Sequence, residues 1–171
     1  MRVIAFDPYV PRERAKEMGI ELMPTLEALL VQADFVSIHL PRTVDTEELI
    51  GEREFALMKE GARLVNTARG GIVNEEALCA ALKHKRIAGA ASDVYAAEPA
   101  GREHPFTGLD NIILAPHCIA WTDELFSEIG MMAANIALEI GRGQVPAKGV
   151  VNREVLERPG FQRKLRSWKG D

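Results

Sequence analysis

The sequence predicts an α/β protein built on a doubly wound parallel sheet. Three observations carry that prediction. Short apolar runs recur at Val3 to Phe6, Phe35 to Leu40, Arg63 to Asn66, Ile87 to Ser92 and Ile112 to Leu114. Helical patterns lie between them, which calls for crossover connections and a sheet of parallel strands. The runs are apolar almost throughout, as expected of strands covered by helices on both faces.

The first run sits in "MRVIAFDPYV" and is followed at once by Asp7 and Pro8. Between the third and fourth runs, residues Asn74 to His84 read as a helix. Asn74 is its N-cap, and Glu75 and Glu76 suit the positive end of the helix dipole. Ala77, Leu78, Ala81 and Leu82 form the apolar stripe, and Lys83, Lys85 and Arg86 gather at the other end. The longest helix is expected from Thr122 to about Ile140, where Leu125, Ile129, Met132, Ala133, Ile136 and Ile140 recur at helical spacing. The stretch "GRGQVP" stops it. The closing "ERPGFQRKLRSWKGD" is polar and basic around Phe161, Leu165 and Trp168, and reads either as a frayed tail or as a docking helix. The expected division is one domain over 1–152 and a tail over 153–171. No internal repeat or low-complexity stretch interrupts it.

Composition narrows the function classes. A chain of 171 residues is long enough to bury a sizeable single core. Its formal charge of -4 comes from acidic and basic residues mixed along the chain, which provides no basic stripe for nucleic acid. No apolar stretch approaches the roughly 20 residues of a membrane span, and no signal-peptide pattern opens the chain, so a cytoplasmic protein is expected. The two cysteines, Cys79 and Cys118, fit neither a disulfide framework nor paired metal ligands. Nothing pairs His39, His84 and His104 as ligands either, and Met58, Met131 and Met132 read as packing.

In an open parallel sheet, ligands bind beyond the carboxyl ends of the strands. Asp7 follows the first run, "NTARGG" the third, "SDVYAAEP" the fourth and "APHCIAWT" the fifth. One sheet edge therefore collects carboxylates, an arginine and a histidine. Taken singly, each has an ordinary reading: Arg69 in a strand-to-helix turn, Glu98 as a solvated loop residue, His117 as a loop histidine.

Together the segments "VNTARGGIVNEEAL", "AGAASDVYAAEP" and "NIILAPHCIAWT" resemble, in this order, the signature motifs of the NAD-dependent D-2-hydroxyacid dehydrogenases, nearest the phosphoglycerate dehydrogenase branch. The resemblance covers roughly residues 1 to 152 and implies a Rossmann-like NAD-binding domain. It implies that Asp7 accepts hydrogen bonds from the adenosine ribose, which favours NAD over a cofactor carrying a 2'-phosphate. It places Leu40 and Pro41 at the adenine side of the cofactor groove. Thr67, Ala68, Asp93, Cys118, Ile119 and Ala120 fall around the nicotinamide half, beside Arg69 and His117. Arg69 grips the substrate carboxylate and 2-oxygen through a planar fork that lysine lacks. His117 is the general acid or base, and Glu98 holds its imidazole and favours its charged form. The implied partners are a small 2-hydroxy or 2-oxo acid and a second copy in a homodimer. Asn74 departs from the aspartate usual in the family, and Cys118 and Trp121 replace residues that are often small.

One expected part does not occur in the sequence. A dinucleotide fold normally begins with a strand, a Gly-x-Gly-x-x-Gly turn and a helix, about twenty residues ahead of the ribose-binding acid. The only comparable spacing, Gly141 and Gly143, follows a helix and precedes Pro146. The expected fold is thus incomplete, lacking its first strand, glycine loop and first helix, and the chain reads as the C-terminal part of a longer dehydrogenase without its substrate domain. In strand order 3-2-1-4-5-6 the missing strand is central, which leaves Val3 to Phe6 and Phe35 to Leu40 each facing a gap of about 4.8 Å. Three outcomes follow for those edges: closure on each other, a strand from another chain, or low stability. NAD affinity is expected to collapse without the phosphate cradle, and this chain alone is expected to be weakly active or inactive. Besides the oxidoreductase reading stands a non-catalytic one, a truncated homologue acting as an oligomerisation or protein-binding module.

Overall fold

The computed structural model describes residues 1–146 and 148–168. They form two compact units, one over Met1–Ile119 and one from Ala120 onward. The second unit begins well before residue 153, and residues 169–171 of the expected tail lie outside the described residues.

In the first unit, β1 (Ile4–Ala5) leads through α1 (Arg12–Glu17) to β2 (Glu21–Leu22), and the two strands pair in parallel. Helix α2 (Leu26–Leu30) follows, capped by Thr25 Oγ1, which accepts the Ala28 N–H at 3.1 Å. A four-stranded parallel sheet comes next: β3 (Phe35–Ile38), β4 (Arg63–Asn66), β5 (Gly89–Ser92) and β6 (Ile112–Leu114), side by side in that order. Helix α3 (Glu52–Leu57) crosses from β3 to β4, and α4 (Glu75–Lys83) crosses from β4 to β5. Asn74 Oδ1 accepts the Ala77 N–H at 2.8 Å and starts α4 where its side-chain chemistry predicts.

All five strand runs read from the sequence contain strands, with β4 and β6 at the expected bounds and the others shorter. The strand β2 is an addition that its two paired residues could not announce. The register aligns Phe35 with Arg63 and Arg63 with Gly89, so the strand ends reach the same edge together.

The core lies on one face of the larger sheet. Val36, Ile38 and Leu64 pack with Leu30, Phe55 and Leu78 from the helices. On the opposite face Phe35 is 63% exposed and Ile113 73%, so the strands alternate more than their apolar composition suggested. An apolar residue facing outward costs little by itself, which is why composition alone could not reveal it.

The predicted gap is present. Strands β1 and β2 form their own sheet, separate from the one that β3 begins. Among the described residues, β1 pairs only with β2 and β3 only with β4. The edges are not paired with each other, which leaves a ladder open on each among the described residues.

In the second unit, α5 (Asp123–Gly141) is capped by Thr122 Oγ1, which accepts the Leu125 N–H at 3.2 Å. None of its residues is buried. Helix α6 (Pro159–Ser167) buries Leu165, so the closing segment is helical rather than frayed through Ser167.

Leu64 is 1% exposed at the centre of the larger sheet. Replacing it with alanine is expected to cost about 2–5 kcal/mol in urea unfolding, through lost transfer energy and the cavity left behind.

Candidate active site

The carboxyl edge of the larger sheet is organised from β4 outward. Asn66, 4% exposed, ends β4, and its Oδ1 accepts the Ala68 N–H at 3.1 Å. Its Nδ2 donates to the Arg69 carbonyl at 3.1 Å. These two bonds wind the "NTARGG" turn around one buried amide and present Arg69 at the surface. The Arg69 guanidinium donates to the Ala68 carbonyl at 2.6 Å. Sequence reasoning passed over Asn66, although an asparagine ahead of a turn is the residue type that builds one.

Gly70 follows because nothing larger fits. A Cβ there would fall on the carbonyl of Tyr95, in the loop after β5. The turn bearing Arg69 and the loop bearing Glu98 are therefore in direct backbone contact.

The "SDVYAAEP" loop contributes two carboxylates with different surroundings. Asp93 is 4% exposed. Its Oδ1 accepts the Cys118 N–H at 2.9 Å and its Oδ2 the Ile119 N–H at 3.2 Å. This buried group holds the loop that carries His117, whose φ of 55° lies in the left-handed region. A non-glycine residue in that region is kept there only by surroundings that over-determine it, and the paired amide bonds supply that constraint.

Glu98 is more open. Its Oε1 accepts the Tyr95 N–H at 3.0 Å, and its Oε2 lies 2.7 Å from His117 Nδ1. A carboxylate only accepts hydrogen bonds, so Nδ1 carries the proton of this contact. The bond from His117 holds the Glu98 carboxyl below the usual range, helped by the Tyr95 N–H and by the nearby charges of His117 and Arg69. Burial, then the carboxylates of Asp93, Glu75 and Glu98, push the Tyr95 phenol up. The phenol accordingly stays protonated and donates to the Ala115 carbonyl at 2.9 Å.

Arg69, Glu98 and His117 thus meet on one edge, as their order in the sequence implied. Thr67 and Ala68 are half-buried beside Arg69, and Cys118 is half-buried behind His117. Ile119 is exposed, and Ala120 opens the second unit. At the end of β3, Leu40 is half-buried and Pro41 exposed. Asp7 stands in the smaller sheet's carboxyl-end loop, where Oδ1 accepts the N–H groups of Tyr9 at 2.8 Å and Val10 at 3.2 Å.

Parallel strands with an acid beyond one in the smaller sheet, and an arginine, a carboxylate and a histidine beyond three in the larger, form the architecture of a dinucleotide-binding oxidoreductase domain. Residues 1–118 match the family model described as "D-isomer specific 2-hydroxyacid dehydrogenase, NAD binding domain". The chain belongs to that family, whose cofactor is NAD.

The chain is 40% identical to D-3-phosphoglycerate dehydrogenase of Archaeoglobus fulgidus over 162 residues, 95% of this chain and 30% of that protein. It is 46% identical to glyoxylate reductase of Aeropyrum pernix over 163 residues, 94% of this chain and 48% of that protein. The chain thus spans between about a third and a half of the length of these relatives. The NAD-complexed D-isomer specific 2-hydroxyacid dehydrogenase from Lactobacillus delbrueckii ssp. bulgaricus superposes with a TM-score of 0.75 at 29% identity, covering 88% of this chain and 49% of that one.

Gly70→Ala is expected to cost about 3 kcal/mol in chemical unfolding, at the upper end of overpacking, because the obstacle is backbone. A depressed carboxyl pKa stabilises the fold above the ordinary glutamate range near 4.3 and loses that contribution as pH falls through the lower folded value. The His117 ring signals in nitrogen NMR should therefore report loss of the Glu98 bond only at pH values below the ordinary glutamate range.

Proposed function

We propose that this edge performs the acid–base half of NAD-linked oxidation of a small 2-hydroxy acid, or the reverse reduction of the 2-oxo acid. The observation that carries the reading is the 2.7 Å contact of His117 Nδ1 with a Glu98 carboxylate that the Tyr95 N–H also holds. A base oriented by a fixed acid is the arrangement proton abstraction from a hydroxyl needs.

The residues present fit NAD on their own chemistry. Asp7 spends Oδ1 on two backbone amides, which fixes the carboxylate and leaves Oδ2 for ribose hydroxyls. A negative oxygen there disfavours a 2'-phosphate. Leu40 and Pro41 would flank the adenine side, and Thr67, Ala68, Asp93 and residues 117–120 the nicotinamide side, with Asp93 acting through the loop it holds. When bound, NAD supplies the hydride-accepting chemistry.

The chain's own groups do the rest. Arg69 clamps the substrate carboxylate and 2-oxygen with paired hydrogen bonds. His117 Nε2 takes the hydroxyl proton during oxidation and returns it during reduction. Glu98 keeps Nδ1 protonated and offsets the charge that appears on the ring. The relatives' names point to 3-phosphoglycerate or glyoxylate chemistry, and the substrate proposed for this chain is the class they share, acting in a homodimer. A second reading, a non-catalytic module that pairs with other subunits, is favoured by the unpaired edges of β1 and β3.

Calorimetric titration with NAD and turnover on a panel of 2-hydroxy and 2-oxo acids decide between them. The first reading expects NAD binding, weak without the phosphate cradle and weakened further by Asp7→Ala, and turnover that His117→Asn lowers by about 10²–10⁴-fold. A version extended upstream that binds NAD yet shows no turnover across the panel, or full activity in His117→Asn, rejects it.

A further inference from the structure

Behind Glu98 lies a second carboxylate that the acid–base reading does not use. Glu75 opens α4, six positions after Arg69, with its side chain 22% exposed. Both of its oxygens are spent on other segments. Oε1 accepts the Ala96 N–H at 2.7 Å, and Oε2 lies 3.2 Å from Nε2 of His104, whose side chain is 13% exposed. His104 Nδ1 accepts the Phe106 N–H at 3.3 Å, so its ring proton resides on Nε2 and is donated to Glu75. The ring is wedged edge-on between Tyr95, at 5.3 Å, and Phe106, at 4.6 Å.

Two consecutive amides of one loop are thus held by two carboxylates on different elements. Glu98 takes the Tyr95 N–H and faces His117, while Glu75 takes the Ala96 N–H and is locked by His104. Glu75 also belongs to the helix that the Arg69 turn leads into, and Gly70 in that turn meets the same Tyr95–Ala96 peptide.

We propose that Glu75, locked by His104, is a positioning residue that fixes the 95–98 loop against the Arg69 turn, so that Glu98 meets His117 Nδ1. Its effect on turnover rests on the acid–base reading above; its effect on the His117 ring does not. Helix-start chemistry alone would ask only for a negative charge near the first turn, and Glu76 would serve that purpose. It would not ask for a carboxylate with both oxygens directed to loop groups 21 and 29 residues away. A glutamine in its place keeps one acceptor oxygen for Ala96 but turns a donor toward His104.

The test compares the full chain with its Glu75→Ala, Glu75→Gln and His104→Phe variants. The His117 ring tautomer is read by long-range proton–nitrogen NMR, and kcat and KM are read on a 2-hydroxy acid with NAD. The natural chain is expected to show a single Nδ1–H tautomer, and Glu75→Ala a mixture. Glu75→Gln, which keeps an acceptor for Ala96 but loses the lock, should also show a mixture, with a smaller share of the second form than Glu75→Ala. In turnover, Glu75→Ala should lower kcat by up to about a hundredfold, with KM within about twofold.

An unchanged His117 ring in Glu75→Ala overturns the proposal. Should that variant lack a cooperative unfolding transition, His104→Phe decides, since it keeps the ring packing and removes the lock together with the acceptor for the Phe106 N–H; a single tautomer there also overturns it. A version extended upstream that binds NAD but turns over no substrate rejects the reading of function while the ring signal still judges Glu75.

Discussion

The site depends on one close approach between backbones. Gly70 meets the Tyr95 carbonyl so tightly that no side chain can stand between them. That contact joins the turn after β4 to the loop after β5, and so joins the arginine to the acid that holds the histidine. Parallel register brings strand ends to a common edge, but register alone leaves the loops beyond them free to splay. Direct contact and buried polar bonds remove that freedom, and most of them converge on residues 93 to 98.

Three buried or half-buried polar groups carry the arrangement, each satisfied. Asn66 winds the arginine turn, Asp93 holds the histidine loop by two amides, and Glu75 ties the glutamate loop to α4. A buried polar group left unpaired costs several times what one hydrogen bond contributes net. Each of these side chains therefore fixes its partner's position more firmly than a surface contact would. The groups proposed for the acid–base site, Arg69, Glu98 and His117, remain more open.

Strain has a place in the same design. His117 is held at φ 55°, a conformation a histidine seldom adopts unaided. Asp93 holds the two amides that follow it, and Glu98 holds the ring. The backbone is constrained from one side and the imidazole from the other, so its Nε2 keeps one orientation without a packed pocket around it.

The sequence by itself determined the strand runs, the cap at Asn74, the helix from about Thr122, and the ordering of Asp7, Arg69, Glu98 and His117 along strand ends. Those features depend on local chemistry and on alternation along the chain, which a single sequence displays. It also anticipated the interruption between β1 and β3, because a strand order can be counted. Only the tertiary structure decided that Asp93 serves the histidine loop and that Glu75 and His104 lock each other. It alone separated the two sheets and left Phe35 and Ile113 exposed. The physical reason is distance along the chain: Glu75 and His104 lie 29 residues apart, Asp93 and Cys118 25, and no local pattern records which distant amide a carboxylate will find.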